Sequence, residues 1–305
     1  MRRLTIAVVA LCAVGTGLAW GQYEKTKFAT VRFSAGTKND IVVLGSGGTE
    51  LATIASNANN DWGPAWSPDG SQIVFNQEGS GRTDLYIVNS DGTGEAPLSA
   101  STLYADAYAS WSPTGAQIAF HSTRDGNDEI YKMDSDGTNQ RRLTTNGAVD
   151  VYPSWSPDGS KIAYFSNGSG VHQLYTINTD GSAQVALTTS AVFAFYGPSV
   201  SWSPDSTKLA VASQLDGGVD IWVFDADGSN GLNLTPTPSI DEQPSWSPDG
   251  ERISFISDRA GTKAIYTMKA DGSGVVVMTV GTADFQLAWS PFLAVAESDP
   301  ISPKR

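Results

Sequence analysis

The chain has 305 residues, 40% of them hydrophobic, with 31 glycines and a single cysteine, Cys12. That length suits one large β domain or two small ones, and the lack of Gln/Asn tracts, charge runs and Pro-rich linkers argues against long disordered segments. A net charge of −13 argues against nucleic acid and anionic membranes as partners, and favours cations or a basic protein surface.

At the N-terminus, Arg2 and Arg3 precede the apolar run Leu4 to Val14. Ala19-Trp20-Gly21 then puts small residues at −3 and −1 of a cleavage before Gln22. This reads as a secretory signal peptide over 1–21, too short in its apolar part to span a bilayer, so no stable membrane insertion is expected after cleavage. Leu11 stands before Cys12 where a lipid-modified cysteine needs a small residue. The mature chain then has no cysteine, hence no disulfide, thiolate metal site or Cys nucleophile. It carries 17 Lys and Arg against 32 Asp and Glu, a net −15. An exported chain without cysteine suits the bacterial periplasm or medium.

From residue 22 to 60 the chain reads as three strands: Phe28 to Phe33, Ile41 to Leu44, and one around Ile54. After them Trp-Ser-Pro recurs at Trp66, Trp111, Trp155, Trp202, Trp246 and Trp289, at spacings of 45, 44, 47, 44 and 43. A period in this range marks an array of supersecondary units, often propeller blades. Each unit follows one template. Strand a ends at the Trp, and Ser-Pro-Asp-Gly fits a type I turn, with Pro presetting φ. Strand b alternates, as in Ile73/Phe75, Ile118/Phe120, Ile162/Tyr164, Leu209/Val211 and Ile253/Phe255. Strand c carries one aromatic: Tyr86, Tyr131, Tyr175, Trp222 or Tyr266. A second turn ends in Asp-Gly, and six residues later comes the apolar residue of strand d: Leu98, Leu143, Leu187, Leu234 or Met278, each followed by Thr or Ser.

Four antiparallel strands per unit make a propeller blade. The first copy lacks strand a, and Phe285 to Trp289 is a strand a with nothing behind it. The two incomplete ends complement each other. The expectation is an all-β, six-bladed propeller over 22–291, with the C-terminal strand completing the N-terminal blade, and a tail over 292–305. Phe292 to Ala296 in that tail reads as a possible short extra strand.

The pattern P-x-W-S-P-D-G, I-x-F, I-Y-x-M-D-x-D-G, L-T resembles the TolB-like propeller repeat, and Glu129 to Thr144, EIYKMDSDGTNQRRLT, is its nearest copy. The resemblance covers about 22–296. It implies a six-bladed propeller exported to the bacterial periplasm and acting as a protein- or ligand-binding scaffold. TolB proteins carry a separate α/β domain ahead of the propeller, whereas blade 1 starts soon after Gln22, so docking at the peptidoglycan-associated lipoprotein is not carried over. Similar repeats occur in oligogalacturonate lyases and in the propellers of prolyl-oligopeptidase-type peptidases. The peptidase route needs a G-x-S-x-G elbow, and none is present.

Catalytic residues are not apparent, and the chain reads as a non-enzyme with a propeller-type saccharide lyase as the alternative. The only histidines, His121 and His172, read as surface loop residues; two ligands do not make a metal site. One feature recurs outside the turns. Five residues before each Trp stand Asp61, Asp106, Asp150, Gly197, Asp241 and Asp284. If strand a lines the channel, these five aspartates form a collar at its mouth that could hold calcium or another cation, or receive a basic side chain. The competing expectation is that each Asp caps backbone groups. Tyr108, Tyr152 and Tyr196 fall near the same mouth, with Tyr104, Phe195 and Phe285. The turns on one face are uniform and the b–c loops on the other vary, which is where recognition usually sits.

Overall fold

The computed structural model describes residues 27–34, 38–45, 50–55, 59–79, 81–99, 103–188, 199–278 and 284–290. Blade 1 contains β1 (Lys27–Ser34), β2 (Lys38–Gly45) and β3 (Glu50–Ala55). Blade 2 contains β4 (Asn60–Trp66), β5 (Gln72–Gly79), β6 (Arg82–Asn89) and β7 (Ala96–Ser99). Blade 3 contains β8 (Asp106–Trp111), β9 (Gln117–Ser122), β10 (Glu129–Asp134) and β11 (Arg141–Arg142). Blade 4 contains β12 (Asp150–Trp155), β13 (Lys161–Ser166), β14 (Gln173–Asn178) and β15 (Val185–Ala186). Blade 5 contains β16 (Val200–Trp202), β17 (Lys208–Ser213), β18 (Asp220–Asp225) and β19 (Leu232–Asn233). Blade 6 contains β20 (Asp241–Trp246), β21 (Arg252–Ser257), β22 (Ala264–Lys269) and β23 (Val276–Val277), and β24 (Asp284–Trp289) follows.

Six four-stranded sheets result, and β24 joins blade 1 in the order β24-β1-β2-β3. The ring therefore closes as the incomplete ends require, with Phe28 opposite Trp289 and Arg32 opposite Asp284. Closure pairs the inner edge of β1, which would otherwise be an open template for aggregation. The tail segment Phe292 to Ala296 and residues 1–21, where a signal peptide is expected, lie outside the described residues.

Local chemistry explains the repeat. In the first turn the Gly70 N–H donates to the Ser67 carbonyl at 2.9 Å, and Gly115, Gly159 and Gly250 make the same bond. The Ser67 hydroxyl donates to Asp69 and accepts from the Gln72 N–H, so Ser and Asp of the motif tie the turn to the start of strand b. Hydrogen bonds from Ser67 and Ser71 hold the Asp69 carboxyl below its usual range. In the second turn, glycine answers two demands. Gly137 and Gly228 have φ near +86°, and a Cβ on either would run into the carbonyl oxygen of Leu98 or Leu187 of the preceding blade. The Thr or Ser after each strand-d leucine also has a partner. Thr144, Thr188, Thr235 and Ser99 hydroxyls accept the strand-c N–H of Ile130, Leu174, Ile221 and Leu85, closing the ladder where strand d ends.

No blade buries its own faces alone. Among the described residues the core divides into six apolar clusters, one at each junction. Trp66, Ile73 and Phe75 of blade 2 pack on Val31, Ile41 and Val43 of blade 1. The sixth joins Ile265 and Met278 of blade 6 to Phe28, Val42 and Trp289 of blade 1, so the last junction resembles the others. Each large buried side chain contributes roughly 1.5–3 kcal/mol by leaving water. The Trp111, Trp202 and Trp289 indoles also donate to the Ala65, Ser154 and Ser245 carbonyls of the preceding inner strand, at 3.2, 3.0 and 3.1 Å.

Candidate binding site at the central channel

The inner strands of the six blades enclose a channel of about 380 Å³. One end is formed by Gly63, Tyr108, Tyr152, Ser199 and Gln243, and the other by tryptophans and prolines of the Trp-Ser-Pro motifs, including Trp66, Trp246 and Pro68. Among the described residues, none that lines it is charged.

A repeated backbone irregularity aims side chains into this channel. In β4, β8, β12 and β20 the pairing with strand b skips, for example between Ala107 and Ser110, so two residues oppose one. Such a bulge re-aims a side chain. The second residue after each Asp lies there with left-handed backbone: Gly63 at φ 65°, Tyr108 at 55°, Tyr152 at 57° and Gln243 at 58°. For a tyrosine this conformation costs on the order of 1 kcal/mol. The preceding blade stabilises it. The Tyr108 N–H donates to Asn76 Oδ1 at 2.8 Å, and the Tyr152 N–H donates to His121 Nδ1 at 3.3 Å.

These contacts assemble an aromatic patch across blades 2 to 4. Trp62 meets Tyr108 edge-on at 4.8 Å, Tyr108 meets Tyr152 at 4.3 Å, and His121 stacks on Tyr108 at 5.4 Å. Tyr108 and Tyr152, which line the channel, are half-buried, and so is Trp62 behind them. His121 is not the surface residue its position in the repeat implied. It is 9% exposed, and burial pushes its imidazole down to about 3, which keeps it neutral. With Nδ1 accepting, its proton sits on Nε2, 4.0 Å from Asp128 Oδ1. His172 lies half-buried ahead of β14, in the next blade.

The four described aspartates do not form a collar open to the channel. Asp61, Asp106, Asp150 and Asp241 are at most 1% exposed, each buried within its own blade. Asp106 is clasped by Arg124 at 3.0 and 3.2 Å, and Asp241 by Arg259 at 3.0 and 3.1 Å. Each guanidinium comes from the b–c loop and lies over strand-b and strand-c rings, with Arg124 4.4 Å from Tyr131 and Arg259 5.0 Å from Tyr266. Each Arg also bonds the serine closing strand b, Ser122 or Ser257. A buried carboxylate requires such a partner, which is why these acids face inward. Asp150 accepts from Asn146 at 2.8 Å, and burial raises its carboxyl. Among the described residues no group of three or more His, Cys, Asp or Glu side chains is placed to hold a metal ion. Asp284 lies on β24 with its side chain outside the described part, and Tyr196 and Phe195 lie outside the described residues. Of the expected mouth residues, the structure brings Tyr108 and Tyr152 together at the channel. It adds Trp62, Asn76, His121 and Gln243, for which Gly63 at the same repeat position was the only sequence hint of an unusual backbone.

No curated protein matches the sequence significantly. Among solved structures, TolB from Acinetobacter baumannii superposes with a TM-score of 0.77 at 23% identity, covering 88% of this chain and 67% of that one. A putative TolB from Agrobacterium tumefaciens gives 0.64 at 22% identity, covering 86% and 90%. A puromycin hydrolase gives 0.59 at 16% identity and shares only 45% of its own length with this chain. These likenesses concern the fold. The family model for the TolB beta propeller domain matches residues 93–201 and 188–293, and the chain belongs to that family.

Proposed function

We propose that the protein is a non-catalytic, exported scaffold of the bacterial cell envelope that receives a protein partner at the aromatic mouth of its channel. The observation that carries this reading is a channel lined, among the described residues, by no charged side chain, into which Tyr108, Tyr152 and Gln243 are turned by left-handed bulges. Rigid aromatic side chains with few torsions lose little entropy on binding and dominate recognition surfaces. Strain held in place by cross-blade hydrogen bonds is a mark of sites shaped for use. Membership of the TolB propeller family and the signal-peptide pattern at 1–21 support the envelope location. The acidic surface, net −15 after cleavage, favours a partner with a basic face through faster, salt-sensitive encounter. The lyase alternative gains no observation, because His121 Nδ1 is occupied by the Tyr152 N–H and its ring is buried.

The test replaces Tyr108 and Tyr152 together by Ala and measures capture of envelope proteins by the mature chain. The wild-type chain captures a partner, and the double variant loses roughly tenfold or more in affinity for it, as expected when two aromatic anchors are removed. Equal capture by the folded variant would place recognition elsewhere.

A further inference from the structure

Asp61 stands apart from the other buried aspartates. In blades 3 and 6 an arginine 18 residues after the Asp folds back from the b–c loop and clasps it: Arg124 on Asp106, Arg259 on Asp241. In blade 2 the position 18 residues after Asp61 is Gly79. The β5–β6 ladder also runs unbroken to the pair Gly79–Arg82, which leaves no loop to fold back. The serine beneath the arginine becomes Gln77, whose amide is directed to Glu95 at 3.2 Å and Asn59 at 3.0 Å. Asp61 is thus fully buried, and among the described residues neither of its oxygens has a hydrogen-bond partner of good geometry. Asp150, which also lacks an arginine, at least keeps its bond from Asn146.

The surroundings do not replace the missing cation. Glu95, ahead of β7, and Asp40, on β2 of blade 1, both face Asp61 and oppose its ionisation, while Gln77 on β5 and Lys38 on β2 favour it. Lys38 is shared with Asp40, 3.7 Å away. Other charges on the packed strands are engaged elsewhere: Glu78 with Asn60, Asp106 with Arg124, and Arg32 with Glu50. The side chain of Asp284 on β24 lies outside the described part. Burial is the largest influence, and it pushes the Asp61 carboxyl up to about 7.

We propose that the junction between blades 1 and 2 is a proton-controlled latch, closed while Asp61 is neutral and loosened when Asp61 loses its proton. An ionised Asp61 would be an unpaired charge inside a blade beside two other carboxylates. It can be relieved only by drawing Lys38 or water into the seam between β2 and β4. Gly63, two residues after Asp61, lines the channel, so the seam borders it. The latch itself does not depend on what the channel binds.

The sign follows from linkage. An unfolded Asp titrates near 3.9, so between about pH 4 and 7 the folded chain holds a proton that the unfolded chain lacks. Stability therefore declines as pH rises through that window, and the loss is complete above it. The experiment follows thermal unfolding and amide exchange of the full mature chain from about pH 5.5 to pH 8.5, for wild type and Asp61→Asn, the neutral isostere. The margin by which the variant melts above wild type is expected to widen by several degrees from the low end, where part of the penalty is already present, to the high end. Exchange in β2 and β4, corrected for its intrinsic pH dependence, should rise roughly tenfold in wild type only. A difference between the two proteins that does not change with pH would overturn the latch. A carboxyl-carbon NMR titration of wild-type Asp61 guards against a variant that fails to fold: a midpoint within about a unit of 7 supports the proposal, and one near 4 overturns it.

Discussion

Deleting residues 285–305 is expected to abolish cooperative folding of the propeller. The truncation removes β24 and with it the pairing of Phe28, Ala29, Thr30 and Val31 to the closing strand. It also removes Trp289, whose ring lies 4.1 Å from Phe28 and completes the cluster between blades 6 and 1. Two junctions lose their inner strand at once, because β24 touches β20 on one side and β4 on the other. The loss combines a half-buried Trp, at up to roughly 3–5 kcal/mol, with a row of unpaired backbone groups, which together approach the 5–15 kcal/mol total stability of an ordinary domain. The unpaired edge of β1 then promotes aggregation. Circular dichroism, urea denaturation and gel filtration of the truncated chain test this. A soluble monomer with an unchanged unfolding midpoint would mean that the ring is not held shut by β24.

The second large effect concerns the arginine clasps. Arg259→Leu should destabilise the fold by about 3–5 kcal/mol, because it leaves Asp241 buried and uncompensated. Adding Asp241→Gly should recover most of that loss, since removing both partners leaves no stranded charge. The molecule already contains this combination. Blade 5 has Gly197 at the Asp position and Leu215 where the arginine would stand, and Leu215 packs on the apolar cluster between blades 4 and 5. The midpoint of urea unfolding for wild type, single and double variants decides it. A double variant as weak as the single would show that the pair acts through something other than charge compensation.

How much of this could be read in the sequence differs by element. The blade count, strand order and closure followed from the six tryptophans and the two incomplete ends, since a period near 45 with complementary termini admits one closed ring. The Ser-Pro-Asp-Gly turns were legible because their bonds are local, from Ser67 to Gly70 and Gln72. The fate of the aspartates was not read, although a signal was present: Ser122-x-Arg124 and Ser257-x-Arg259 occur in blades that also carry the Asp. Position alone suggested a collar; burial required a counter-ion, and only the arginine spacing tells which way the carboxylate faces. The roles of Asn76 and His121 were out of reach for a different reason. Each acts on a backbone N–H 32 or 31 residues away in the next blade, and that N–H is free only because a bulge turns it out of the ladder. The bulge leaves no clear trace in composition when Tyr or Gln occupies it.

The measurement that tests the channel-mouth account most directly is site-specific photo-crosslinking in living envelopes. A photoreactive residue at Tyr108 samples the aromatic mouth, and one at Asp158, an exposed residue of a Ser-Pro-Asp-Gly turn, samples the opposite face. A discrete crosslinked protein is expected at position 108, weakened by Tyr152→Ala, and none at position 158. A crosslink from the turn face with none from the mouth would contradict it.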